Sequence, residues 1–181
     1  ETVYGLFAKA LDEKAVDYVY QLKRRPRDKA LNLNVASLAD ILNFSENQPP
    51  YLQQLVEKFL PGPLTIILIA NDNVPDWVNS DLTTVGFRMP NHPVTLELIR
   101  EFGPLIGPSA NISGQASGVT LKEILKDFDQ EILGVEDDAY LTGQDSTILD
   151  LSGSKARILR QGAVTREDIL TKIPEISFEE V

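Results

Sequence analysis

The chain has 181 residues, 43% of them hydrophobic and 24% charged, with no cysteine and a formal net charge of −10 at pH 7. That length suits one domain whose core needs no cross-links, and the lack of thiols excludes disulfides, thiolate metal sites and cysteine nucleophiles. So acidic a chain is a poor general binder of nucleic acid, and no apolar run approaches the ~20 residues that span a bilayer, so a cytoplasmic protein with no membrane partner is expected.

Residues 11–24 are predicted to form a helix, with Ala15, Val16, Val19 and Tyr20 at helical spacing, Asp12 as cap and Pro26 as stop. Residues 31–35 alternate Leu, Asn, Leu, Asn, Val and read as a strand with one polar face. Ser37 opens a short helix to Asn43; a second follows Pro49 and Pro50 and stops at Pro61-Gly62-Pro63. Residues 64–70 and 84–89 are buried strands, 93–102 is a helix closed by Gly103, and 104–108 is a short apolar strand. Thr120 and Glu123 form a capping-box pair for a helix to Phe128. Strands at 146–151 and 157–160 and a helix at 165–173 complete the series. The interleaving predicts an α/β fold, a single open twisted mixed sheet with flanking helices. An acidic tail at 174–181 is expected to fray.

The familiar nucleotide motifs are absent: there is neither a Walker loop nor a Gly-x-Gly-x-x-Gly turn. His92, the single histidine, stands in Asn-His-Pro and reads as a helix-entry turn, and Asp137-Asp138 reads as a solvated loop before a metal site. The charge is unevenly placed. Residues 23–29 hold five cations and one anion, +4, leaving −14 on the rest of the chain. A single basic spot on an acidic body predicts a local anion site, with a solvated surface loop as the alternative. The small polar segment 107–114, after a buried strand, could turn N–H groups and hydroxyls toward one anion. Arg88 shares a strand face with Thr84, opposite Val85, Phe87 and Met89, and needs a partner, either a ligand carboxylate or an internal ion pair.

Seven segments in order, ETVYGL at 1–6, Lys23-x-Arg25-Pro26, PGPLT at 61–65, TVGFRMPNHP at 84–93, PSANISG at 108–114, STILDL at 146–151 and LRQGAVT at 159–165, resemble the YrdC-like threonylcarbamoyl-AMP synthase family. The resemblance covers residues 1 to about 168 and implies one YrdC-like domain over 1–181, of the short bacterial form. It implies a nucleotidyltransferase that makes threonylcarbamoyl-AMP and pyrophosphate from L-threonine, bicarbonate and ATP with Mg2+, for modification of tRNA with partner proteins. By the resemblance, Lys23 and Arg25 are catalytic; Arg25, Lys29, Thr84, Asn111, Ser117 and Arg160 contact ATP; Thr2, Asn34, Arg88, Ser109 and Ser146 contact threonine; no residue is a metal ligand. Asn34 stands where many longer members carry a histidine. The family's Pro-Thr before ETVYG is absent, which implies that the first strand is missing, and Ala30 and Gln161 replace common prolines. Two rival readings remain at this level: a module that binds tRNA or double-stranded RNA without making an adenylate, and carbamoyl transfer to another acceptor.

Overall fold

Strand alternation decides the architecture, and a computed structural model, describing residues 1–128 and 132–180, shows how. The elements in order are β1 (Ala8–Lys9), α1 (Glu13–Lys23), β2 (Leu33–Asn34), α2 (Leu38–Asn43), β3 (Ser45–Glu46), α3 (Leu52–Phe59), β4 (Leu64–Ala70), α4 (Asp76–Asn79), β5 (Thr84–Arg88), α5 (Pro93–Phe102), β6 (Leu105–Ile106), α6 (Leu121–Lys126), a 3₁₀ turn (Asp138–Tyr140), β7 (Thr147–Asp150), β8 (Arg157–Arg160) and α7 (Arg166–Lys172). They form one mixed sheet in the order β1-β6-β2-β5-β4-β7-β8, with β3 beside the end of β4. The pairs β2/β5 and β4/β7 are parallel and the others antiparallel, including the β7/β8 hairpin that the spacing of residues 146–160 predicts.

The two faces of the sheet are chemically unlike. Leu33, Ile66, Leu68, Val85, Phe87 and Leu149 lie on one face and are buried in a core with Val16, Val19 and Tyr20 of α1, Ile41 of α2, Leu55 of α3 and Ile169 of α7. Registers Asn34↔Arg88, Thr65↔Arg88, Thr65↔Ile148 and Ile148↔Arg160 put the alternate residues together on the other face. Hence the Leu-Asn-Leu-Asn run gives its leucines to the core and its asparagines to an open polar surface.

Helix starts follow local chemistry. Asp12, Ser37, Thr120 and Thr165 each accept a first-turn N–H, and Thr120 and Thr165 complete capping boxes with Glu123 and Asp168. The helix at 93–102 ends on Gly103 at φ 83°, a left-handed value that glycine adopts cheaply. Four elements, β1, β3, α4 and the 3₁₀ turn, go beyond the sequence reading. The tail is a correction: Ile176 and Phe178 are buried, Phe178 bridges Ala156, and the Arg166 guanidinium lies 4.7 Å from the Phe178 ring centre. Two apolar side chains outweigh its acidic composition. Among the described residues no helix is long and apolar enough to cross a membrane.

Candidate functional site

The polar face floors a cavity of about 800 Å3, inside the ~300–1,000 Å3 range usual for small-ligand sites. Of the residues proposed from the sequence, Thr2, Arg25, Asn34, Arg88, Ser109, Ser146 and Arg160 line it; Lys23, Lys29, Thr84, Asn111 and Ser117 do not.

Lys23 ends α1 and is 1% exposed. Its Nζ donates to the carbonyls of Ser109 at 2.5 Å and Asn111 at 2.6 Å, and its own carbonyl accepts from Ser113 N–H at 2.8 Å. It therefore holds the 109–113 loop to α1, in place of the open phosphate contact that the sequence suggested. Burial, and next the Arg25 charge, push its pKa down to about 8. Asn111 and Ser117 shape the same loop: Asn111 Nδ2 donates to the carbonyls of Ile112 and Gln115, both at 2.9 Å, and its Oδ1 accepts from Ser117 Oγ at 3.3 Å.

Arg25 lies at the cavity wall, with Nε and Nη2 donating to the carbonyls of Lys29 at 3.1 Å and Ala30 at 2.8 Å. Two bonds from one planar group fix its orientation. Lys29 is exposed, and its carbonyl also accepts from Tyr20 Oη at 2.8 Å. Arg27 is paired with Asp17 at 2.5 Å and stacked over Tyr20 at 4.6 Å.

Across the floor, Arg160 donates from Nη2 to Ser146 Oγ at 3.0 Å and from Nε to the Ser146 carbonyl at 3.1 Å, and its Nη1 is 3.8 Å from Asp145. Thr65 joins this group, its hydroxyl 3.2 Å from Ser146 Oγ. Gly162, at the end of the hairpin, has no room for a Cβ, which would fall 2.3 Å from the Asp145 carbonyl and 2.5 Å from Thr147 N. Arg88 has an internal partner: its Nη2 donates to Glu1 Oε1 at 2.7 Å and its Nε to the Gly62 carbonyl at 2.9 Å, while Asn91 N–H donates to Glu1 Oε2 at 3.1 Å. Thr84 shares the Arg88 face but pairs with Ile69 at the other end of β5, about 13 Å away at strand rise. Asn34 Nδ2 reaches the Leu105 carbonyl at 3.3 Å.

The sequence reading missed Thr65 and Glu1 as members of the site, although both lie inside motifs it quoted. It also read Asp137 and Asp138 as solvated. Asp138 accepts from Tyr4 Oη and from Leu121 N–H at 3.1 Å, and Asp137 Oδ2 is 3.1 Å from His92 Nε2. Among the described residues no group of three His, Cys, Asp or Glu could hold a metal.

The class these features define is an open mixed α/β sheet protein whose polar face floors an arginine-walled cavity of small-molecule size. The chain belongs to the Sua5/YciO/YrdC family, described as telomere recombination, whose model matches residues 1–162. It is 38% identical over 178 residues to the threonylcarbamoyl-AMP synthase of Pyrococcus abyssi, covering 97% of this chain and 52% of that protein. It is 37% identical to the Bacillus subtilis threonylcarbamoyl-AMP synthase, covering 99% and 53%. The chain thus spans about half the length of these two relatives. The structure of P. abyssi Sua5 complexed with L-threonine superposes with a TM-score of 0.88 at 37% identity, over 99% of this chain and 53% of that one. Escherichia coli YciO, at 21% identity and a TM-score of 0.75 over 90% of this chain and 80% of that one, shares the fold.

Proposed function

We propose that this chain is an L-threonylcarbamoyladenylate synthase, a nucleotidyltransferase that joins L-threonine, bicarbonate and ATP into threonylcarbamoyl-AMP and releases pyrophosphate. The observation that carries the reading is the convergence of Arg25, Arg160, Ser109 and Ser146 on one cavity over the sheet's polar face. The relatives named threonylcarbamoyl-AMP synthase and the threonine complex of one of them support it.

The chemistry needs assembly more than a nucleophilic side chain. Threonine's amine and bicarbonate condense to a carbamate with loss of water. A carbamate oxygen attacks the α-phosphorus of ATP, and pyrophosphate leaves. Holding the partners in line supplies much of the rate, on the order of 7 kcal/mol or more for ideal alignment. Arg25 and Arg160 would neutralise the polyphosphate, each held by bonds to its own neighbours so that little reorganisation remains at the moment of reaction. Mg2+ would enter with the substrate as MgATP, the usual way this ion reaches nucleotide sites. Threonine would lie among Thr2, Asn34, Ser109 and Ser146. Arg88 could take its carboxylate only by sharing or exchanging the Glu1 carboxylate that it already holds. The product would pass to partners that modify tRNA.

The test is pyrophosphate release from MgATP and bicarbonate with L-threonine, with L-serine and with no amino acid. Threonine-dependent release is expected, and its absence overturns the reading. Arg25→Ala should lower kcat/KM at least tenfold while Tm moves by less than about 4 °C, the shift that about 1 kcal/mol gives at this size. Near-normal turnover in that variant would remove Arg25 from the mechanism.

A further inference from the structure

The segment that runs from the 3₁₀ turn into β7 crosses one side of the cavity and delivers Asp145 and Ser146 to Arg160. It is tied down at three places. Toward the N-terminal segment, Thr142 N–H donates to the Glu1 carbonyl at 2.7 Å and Gly143 N–H to the Thr2 carbonyl at 2.9 Å. Toward α6, Tyr4 Oη accepts from Asp137 N–H at 2.9 Å and donates to Asp138, whose Oδ1 also accepts from Leu121 N–H, the first residue of that helix. Burial, and next the bond to Asp138, raise the Tyr4 pKa, which keeps this hydroxyl a donor. Toward α5 the tie is His92.

The His92 ring has two separate jobs. As the N-cap of α5, its Nδ1 accepts from Thr95 N–H at 3.3 Å and lies 3.0 Å from Thr95 Oγ1. An accepting Nδ1 assigns the proton to Nε2, so Nε2–H donates to Asp137 Oδ2 at 3.1 Å. The ring is 13% exposed and packs edge-on to Tyr140, with centroids 5.0 Å apart. His92 also closes a ring of contacts. Four residues before it Arg88 holds the Glu1 side chain, Asn91 N–H holds the same carboxylate, and the Glu1 carbonyl holds Thr142. Capping α5 needs only the Nδ1 acceptor; the Nε2 bond is additional and reaches a different element.

We infer that His92 is a positioning residue that, through Asp137, latches segment 137–145 against the cavity and so sets how tightly the Ser146–Arg160 side holds its ligand. What the cavity holds rests on the synthase reading above; the latch itself does not. His92→Asn separates the two jobs, because asparagine caps a helix well but is too short to reach Asp137. Asp137→Ala cuts the same tie from the other end. In each variant the exchange of the Thr142 and Gly143 amides with solvent should quicken about tenfold, with the α5 amides unchanged. The KM for L-threonine or ATP should rise about fivefold or more while kcat falls less than twofold. The double variant should match either single one, since both remove one interaction. Unchanged exchange at 142–143, additive effects in the double variant, or a fall in kcat at constant KM would each overturn the latch. Wild-type protein without threonine-dependent turnover would overturn the synthase reading, while the exchange and additivity arms would still decide the latch.

Discussion

A lysine as deeply buried as Lys23 must lose its proton or find strong acceptors, and this one has two carbonyls, at 2.5 and 2.6 Å. Burial and the Arg25 charge nonetheless bring its pKa to about 8, against ~10.4 in an unfolded chain. Between those values the unfolded chain binds a proton that the folded chain has released, so this group makes stability rise with pH across that window, and the gain is lost as pH falls through about 8. Urea midpoints at pH 7.5, 8.5 and 9.5 for the wild type and Lys23→Met should therefore show a wild-type advantage that grows with pH. A constant difference would mean that Lys23 titrates no differently in the fold. The sequence marks Lys23 as functional through its motif, yet its burial was not legible there, because its acceptors lie 86 and 88 positions away. Arg88 is similar: its strand face and its need for a partner were legible, but its contact with Glu1, 87 positions away, was not.

Among the elements, the β7/β8 hairpin presents Ser146 and Arg160 to the cavity, and one buried hydroxyl ties together the two chain segments at its open end. Thr147 is fully buried; its Oγ1 donates to the Val164 carbonyl at 2.6 Å and accepts from Gly162 N–H at 2.9 Å and Val164 N–H at 3.1 Å. Valine would fill the same space and leave the Gly162 and Val164 N–H groups without that partner, each costing about 1–3 kcal/mol when buried, while the Val164 carbonyl keeps Gln161 Nε2 at 2.8 Å. Thr147→Val should lower Tm by roughly 4–24 °C, taking about 2–6 kcal/mol in all and about 2–4 °C per kcal/mol at this size. Thr147→Ser, which keeps the oxygen, should recover most of that loss. Equal melting of the valine variant and the wild type would show that the hydroxyl is dispensable. Strands and helices of this kind were legible because their signals are local: Asp12, Ser37, Thr120 and Thr165 cap where the pattern places them. The two-residue strands β1 and β3 were not, since their only definition is a partner elsewhere, Leu105–Ile106 for one and Ile69 with Ala70 for the other.

Over the whole molecule, charge and packing settle two questions that composition leaves ambiguous. Three of the five cations of residues 23–29 are engaged within the fold, which leaves the exposed Arg24 and Lys29: Lys23 is buried, Arg25 is bonded to its own loop, and Arg27 is paired with Asp17. With −10 overall, the surface is suited to one small anion held locally. The tail presents the opposite case, acidic by composition yet part of the core. Its backbone runs beside Ala156, which donates to the Ser177 carbonyl at 2.8 Å and accepts from Glu179 N–H at 3.0 Å. Ile176 and Phe178 each contribute about 1.5–3 kcal/mol of burial, and Phe178 also receives the Arg166 guanidinium. Ending the chain at Pro174 should therefore cost about 3–6 kcal/mol and lower Tm by roughly 6–24 °C. Turnover measured well below that melting point should persist, because none of residues 175–180 lines the cavity. A truncated chain that melts with the full one would mean that these contacts add nothing in solution, and that the tail's charge governs it after all.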